Sequence, residues 1–184
     1  MNKYHMNPYY NPLTLDIPPL VNGFDIQKTT VHHTLIDLNY INPDIRELLL
    51  SLGITITWIE LFYRKPGHLG SIHADNQSGD FTKINWIYKG NKSQMFWFTI
   101  NDPQSNKKTS VTMANTEYLK YSISEVTPVE AASLLGPSLV QVGVPHLVVN
   151  PYEDRYCLCF VLTDLNGERI TMKRAQELLS EYIK

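Results

Sequence analysis

Apolar positions along the chain fall mostly into short runs in which Val, Ile, Thr and aromatic residues dominate. That mixture suits a pleated, half-buried surface better than a helix. The runs predict strands at Val31–Leu38, Ile54–Tyr63, Ser71–Asp75, Lys83–Lys89, Met95–Ile100, Thr109–Met113, Glu117–Val126, Leu139–Val142, His146–Val149 and Tyr156–Thr163. Turn residues separate them at Lys65-Pro66-Gly67, Asn76–Gly79, Gly90-Asn91, Asp102–Lys108 and Asn166-Gly167. Many short strands at a spacing of roughly ten residues indicate a sandwich or barrel.

Three segments carry helical periodicity with matching end signals. Pro43–Leu52 follows Asn42 as N-cap, has Pro43 at the first helical position and stops at Gly53. Pro128–Leu135 carries a Thr127/Glu130 capping box and ends at Gly136-Pro137. Met172–Lys184 places Met172, Ala175, Leu179 and Tyr182 on one stripe behind Thr171 as cap. The segment Met1–Gly23 holds Pro8, Pro12, Pro18 and Pro19, which exclude a helix and predict an extended arm. Helices near both ends would cover one face of a strand-rich core.

Length and composition narrow the class. At 184 residues the chain predicts one domain, 1–184. Hydrophobic residues make up 43% and charged residues 18%, enough apolar content for a sizeable core. Lys+Arg 16 against Asp+Glu 18 leaves a net charge of −2, so the basic excess of a nucleic-acid binder is missing. No run approaches the roughly 18 apolar residues of a membrane span. Met1–Asn11 lacks the apolar core of a leader. The two cysteines, Cys157 and Cys159, are too close in sequence to staple a fold. A cytoplasmic, reducing compartment is the expectation.

Candidate chemistry begins with His73-Ala74-Asp75. Side chains alternate along a strand, so His73 and Asp75 share a face. An imidazole and a carboxylate so placed can both bind a divalent cation, or they can form a structural pair. A third ligand has to come from elsewhere. His146 opens the apolar strand His146–Val149 and is the most anomalous remaining histidine, either a ligand or a satisfied core residue. Arg155 begins another apolar strand, where a guanidinium is costly to bury without an anion. The turn at Pro151–Asp154 would fold that strand back on the His146 strand, so that both open into one cavity. Cys157 and Cys159 share the face of Arg155 and read as buried small hydrophobes.

The order His73-x-Asp75, then His146, then Arg155 resembles the Fe(II)/2-oxoglutarate-dependent oxygenases, particularly small bacterial and phage members related to prolyl hydroxylases and phytanoyl-CoA hydroxylases. The neighbours match as well. Leu61-Phe62-Tyr63-Arg64-Lys65-Pro66-Gly67 leads into the His-x-Asp strand, and Ile84-Asn85-Trp86-Ile87-Tyr88 and Met95-Phe96-Trp97-Phe98 follow it. The resemblance spans about Ile54 to Leu162 and implies a mainly β fold, the double-stranded β-helix or jelly-roll shared with cupins. It implies His73, Asp75 and His146 as ligands of Fe(II), with open positions for 2-oxoglutarate and O₂. Arg155 would bind the distal carboxylate of 2-oxoglutarate with its planar fork. Asn85 would lie near the cosubstrate, and Trp86 and Trp97 would line a substrate pocket or belong to the core. The implied activity is hydroxylation of a C–H bond in a small molecule or peptide side chain, with release of succinate and CO₂. The carboxylate of Asp75 disfavours halogenation, which needs a small residue there. Two other readings stay open: a Zn or Mn cupin-type enzyme, which would not need Arg155, and a catalytically silent jelly-roll that binds a small molecule or a partner.

Overall fold

The computed structural model describes residues 6–21, 25–26, 31–75, 80–90, 92–103, 108–111 and 117–184. The turn expected at Asn76–Gly79 and the end of the strand expected at Thr109–Met113 lie outside the described residues. Two antiparallel sheets face each other. The first runs β1 (Tyr10–Pro12), β11 (Pro137–Gln141), β6 (Thr82–Lys89), β13 (Arg155–Asp164), β3 (Ile54–Arg64) and β2 (His33–Ile36). The second runs β10 (Val126–Ala132), β7 (Gln94–Ile100), β12 (His146–Asn150), β5 (Ile72–Ala74), β9 (Glu117–Tyr121) and β8 (Lys108–Val111), with β4 (His68–Leu69) joined to β12. The central order β3–β13–β6–β11 opposite β5–β12–β7–β10 puts the first of these eight strands beside the last in one sheet. The second stands beside the second-to-last in the other. This wrapping is the double-stranded β-helix, or jelly-roll, of the sequence reading.

Alternation assigns the two faces of the first sheet to different cores. Ile59, Leu61 and Tyr63 of β3, Leu158, Phe160 and Leu162 of β13, and Ile84 and Trp86 of β6 face outward. There they are covered by Ile45 and Leu49 of α1 (Pro43–Ser51), by Met172 and Ala175 of α2 (Met172–Leu178), and by Leu13 and Leu15 of the N-terminal arm. Each such side chain contributes about 1.5–3 kcal/mol by leaving water, which is what holds both helices on the sheet. The opposite face, with Ile87, Cys157, Cys159 and Val161, meets Met95 and Trp97 of the second sheet. Residues 155–163 of β13 are buried throughout. A strand covered on both faces shows no polar alternation, hence its unbroken apolar run.

Local signals decided α1. Asn42 accepts the Asp44 N–H, Pro43 starts the helix, and Gly53 adopts φ 78° after it. Thr171 likewise accepts the Arg174 N–H at α2. The C-terminal helix is shorter than expected, ending at Leu178 before a 3₁₀ turn at Ser180–Tyr182. The helix expected at Pro128–Leu135 is the edge strand β10, paired with β7. A register shift between Pro128 and Glu130 accommodates the proline, whose missing N–H is tolerable on an edge. Glu130 accepts from Asn7 of the arm rather than closing a capping box. A capping box stands one element earlier, where Glu125 accepts the Ser122 N–H before the 3₁₀ turn Ile123–Glu125. That turn also ends β9 at Tyr121, short of the strand expected to Val126.

Candidate metal centre

Strand geometry places the three predicted ligands. His73 is the middle residue of β5, Asp75 directly follows that strand, and His146 starts β12 as the cross-strand partner of His73. Their side chains converge, with one ligand atom from each lying within 4.8 Å of the others. Asp75 Oδ1 is 3.3 Å from His73 Nε2 and 4.0 Å from His146 Nε2. Ligand atoms about 2.0–2.2 Å from one divalent cation lie close to such separations.

The histidine tautomers follow from the backbone. His73 Nδ1 lies 2.8 Å from the Ser71 carbonyl and His146 Nδ1 lies 2.9 Å from the Val144 carbonyl. A carbonyl only accepts, so each Nδ1 carries a proton, which leaves Nε2, on the side of Asp75, as the ring nitrogen available to a cation. Metal-ligating histidines are oriented in this way. Burial, aided by the nearby His73, pushes His146 down to about 4, so its ring is neutral at neutral pH. Burial opposes charge on His73 too, but the Asp75 carboxylate outweighs it and raises that group. For Asp75, burial is overcome by Lys83 and the two imidazoles, which hold the carboxyl well below its usual range.

These residues open into a cavity of about 250 Å³, just under the ~300–1,000 Å³ of pockets for drug-sized ligands. Phe62, Met95, Val142 and Val148 give it apolar walls. Its floor is the inner face of the first sheet, where cross-strand rows align Glu60, Cys159 and Asn85, then Phe62, Cys157 and Ile87. Arg155, 4% exposed, lines the same cavity beside its strand partner Arg64. Arg155 Nε donates to Ser93 Oγ at 3.1 Å, and Arg155 forms no ion pair among the described residues. Gly90 makes room for it. A Cβ there would stand 2.6 Å from Arg155 Cβ, and φ is +98°.

Asn85, 6% exposed, also lines the cavity, and its buried Oδ1 has no hydrogen-bond partner among the described residues. Trp86 and Trp97 do not line it. Alternation turns Trp86 to the outer core, opposite Asn85. Trp97 shares the inward side, but its indole donates to the Gln141 carbonyl and stacks on Tyr10. The cysteines are buried as expected, with Sγ atoms 3.6 Å apart on the floor. Burial pushes the Cys157 thiol up, but the contact with Cys159 and the Arg155 charge reverse this and bring it to about 7.

Sequence reading missed three contributors. Lys83 and Glu60 join Asp75 in a buried ion chain, and a charge inside an apolar strand was the available signal. Asn150, fully buried, donates to the carbonyls of Arg64, Lys65 and Glu153, clamping the turn before Arg155.

No family model matches this chain, and no curated protein matches it. Among solved structures, it is similar to peruvianin-I, a cysteine peptidase from Thevetia peruviana latex. That pair is 13% identical over 88% of this chain and 94% of that one, with a TM-score of 0.36. It is also similar to oxalate oxidase in complex with the substrate analogue glycolate, at 10% identity over 94% of each chain and a TM-score of 0.33. A second oxalate oxidase structure, from a structural and spectroscopic study of its mechanism, gives 12% identity over 93% and 88% and a TM-score of 0.30. Likenesses this remote carry no argument about activity. No helix among the described residues is long and apolar enough to cross a membrane.

Proposed function

We propose that this protein is an Fe(II)- and 2-oxoglutarate-dependent oxygenase that hydroxylates a C–H bond of a small molecule or peptide side chain. The observation that carries this reading is Arg155, a buried guanidinium without an ion-pair partner among the described residues, facing the same cavity as His73, Asp75 and His146. Burying such a charge is costly unless an anion meets it. A dicarboxylate that reaches a metal at one end and Arg155 at the other satisfies both groups.

The donor set fits the cation. Two imidazoles and one carboxylate, with positions left open, is the arrangement of non-heme Fe(II) oxygenases. When bound, Fe(II) and 2-oxoglutarate supply the activation of O₂ that couples release of succinate and CO₂ to hydroxylation. The chain's residues do the positioning. The Ser71 and Val144 carbonyls keep the two rings from turning. Ser93 holds Nε of Arg155, leaving the outer edge of the guanidinium for a carboxylate. The Asn85 carboxamide offers a buried polar group to the cosubstrate. Phe62, Met95, Val142 and Val148 exclude water from the reacting end.

The deciding experiment adds Fe(II) anaerobically and then 2-oxoglutarate, following the visible charge-transfer band of the chelate, with a succinate assay on candidate substrates afterwards. A band and succinate formation are expected. The Ser93–Arg155 hydrogen bond favours a second reading, a cupin-type metal enzyme in which Arg155 is structural. Metal binding without 2-oxoglutarate binding would select it. Binding of neither would leave a silent jelly-roll that binds another small molecule or a partner.

A further inference from the structure

Asp75 is held from the opposite sheet. Lys83 Nζ lies 2.7 Å from Asp75 Oδ2 and 2.7 Å from Glu60 Oε2. The side chains are deeply buried, with exposures of 5% for Lys83, 1% for Glu60 and 13% for Asp75. Lys83 and Glu60 stand on β6 and β3 of the first sheet, whereas Asp75 follows β5 of the second. The ammonium therefore spans the interior at the edge of the ligand cluster. Beyond it, Glu60 Oε1 lies 3.4 Å from His33 Nε2.

A lysine beside a cation site needs a reason, because its charge repels the cation and its desolvation is costly. Glu60 removes the first objection by neutralising it. The second is met by two charge-assisted hydrogen bonds, which are among the strong ones. What the arrangement achieves is asymmetry in Asp75. Oδ1 faces the two imidazole Nε2 atoms, while Oδ2 is occupied by Lys83. A carboxylate held in this way can offer a metal only one oxygen.

We propose that Lys83 is a positioning residue that holds Asp75 Oδ2, restricts Asp75 to a single ligating oxygen and so keeps coordination positions open, with Glu60 cancelling its charge. This rests on the metal-site reading above.

The test uses the double variant Glu60→Gln with Lys83→Met. One negative and one positive charge are removed together, so the net charge at the site is unchanged and the lost hydrogen bond is what the measurement reads. Apo protein is titrated anaerobically with Co(II), following its visible absorption. Loss of a partner that orients a metal ligand typically weakens binding 10–100-fold, and a loss in that range is expected, together with an altered Co(II) spectrum. The unfolding midpoint of the apo variant reports separately on folding. Affinity and spectrum equal to the parent, or tighter binding, would overturn the proposal. Infrared carboxylate stretches of the Co(II)-loaded parent protein supply a check that needs no variant. A one-oxygen pattern for Asp75 is expected, and a two-oxygen pattern overturns the proposal. If the parent protein binds no Co(II), the metal-site reading and this inference both fall. If the parent binds and the double variant binds equally, only the role of Lys83 falls.

Discussion

Single residues at the cavity carry the sharpest expectations. Arg155→Leu should weaken 2-oxoglutarate while sparing the metal. Two hydrogen bonds to a charged group contribute about 1.5–3 kcal/mol each, which at about 1.4 kcal/mol per tenfold is on the order of a hundredfold or more in affinity. Arg155→Lys should be intermediate, because a point charge replaces the fork. Titrating 2-oxoglutarate into Fe(II)-loaded variants measures this, and unchanged affinity in Arg155→Leu would reduce Arg155 to a structural role. Gly90 is the second such residue. Gly90→Ala puts a methyl carbon 2.6 Å from Arg155 Cβ and forces a positive φ on an L side chain. Backbone strain of this kind costs about 1–3 kcal/mol, so urea denaturation should show a loss in that range. The buried Glu60–Lys83 pair predicts a pH response. Burial pushes the Glu60 carboxyl up, but the His33 contact and the Lys83 charge outweigh it, so the folded value is depressed. A depressed acid stabilises the fold above its unfolded value of about 4.3, and that contribution is lost as pH falls through the folded value. Lys83 is burdened by desolvation yet raised by Asp75 and Glu60, so its contribution is present below about 10.4 and is lost only as pH rises through the folded value. Glu60→Gln should therefore lower stability at neutral pH and flatten the acid limb of the stability curve below about pH 4.3. A parent-like acid limb in that variant would contradict the ion chain.

At the scale of elements, turns and strand ends aim the functional side chains. Asn150 closes β12 and ties the end of β3 to the turn before β13 through three backbone carbonyls. Asn150→Ala takes this donor from the half-buried Arg64 and Glu153 carbonyls, while the Lys65 carbonyl keeps the His68 N–H. Such a loss costs about 1–3 kcal/mol, and the loosened turn should also raise the 2-oxoglutarate concentration needed for saturation. A stability loss without that kinetic change would mean that the turn does not position Arg155. The legibility of elements varied with the range of the forces that set them. α1 was readable because Asn42, Pro43 and Gly53 act within one turn of the helix ends. The segment at Pro128 was misread because Thr127 and Glu130 mimic a local cap, whereas pairing with β7 decides its state through contacts distant in sequence.

For the whole molecule, the jelly-roll closes two sheets around the site, and the outer core formed with the helices and arm supports it. The three candidate ligands sit in the cavity rather than in that core. His73→Ala and His146→Ala should therefore leave apo stability nearly unchanged while abolishing 2-oxoglutarate turnover. Metal should also raise the unfolding temperature of the parent but not of the variants. A ligand at a hundred times its dissociation constant adds about 2.7 kcal/mol by linkage. Thermal unfolding with and without Fe(II) under anaerobic conditions separates these outcomes. Equal metal-induced shifts in parent and variants would remove both histidines from the site.

The sequence alone determined what depends on neighbours along the chain. Strand alternation put His73 and Asp75 on one face, apolar runs marked the buried strands, and end signals bounded α1 and started α2. The same alternation left a choice between two buried faces that only the closed sandwich resolves. In a strand covered on both sides, composition does not distinguish the face that looks into a cavity from the one that packs under a helix. Trp86 thus belongs to the outer core while Asn85 faces the cavity, one residue apart. The ion chain was illegible for a related reason. Glu60, Lys83 and Asp75 come from three strand regions and two sheets, and a buried charge reveals its partner only when long-range closure brings the partner within hydrogen-bond distance.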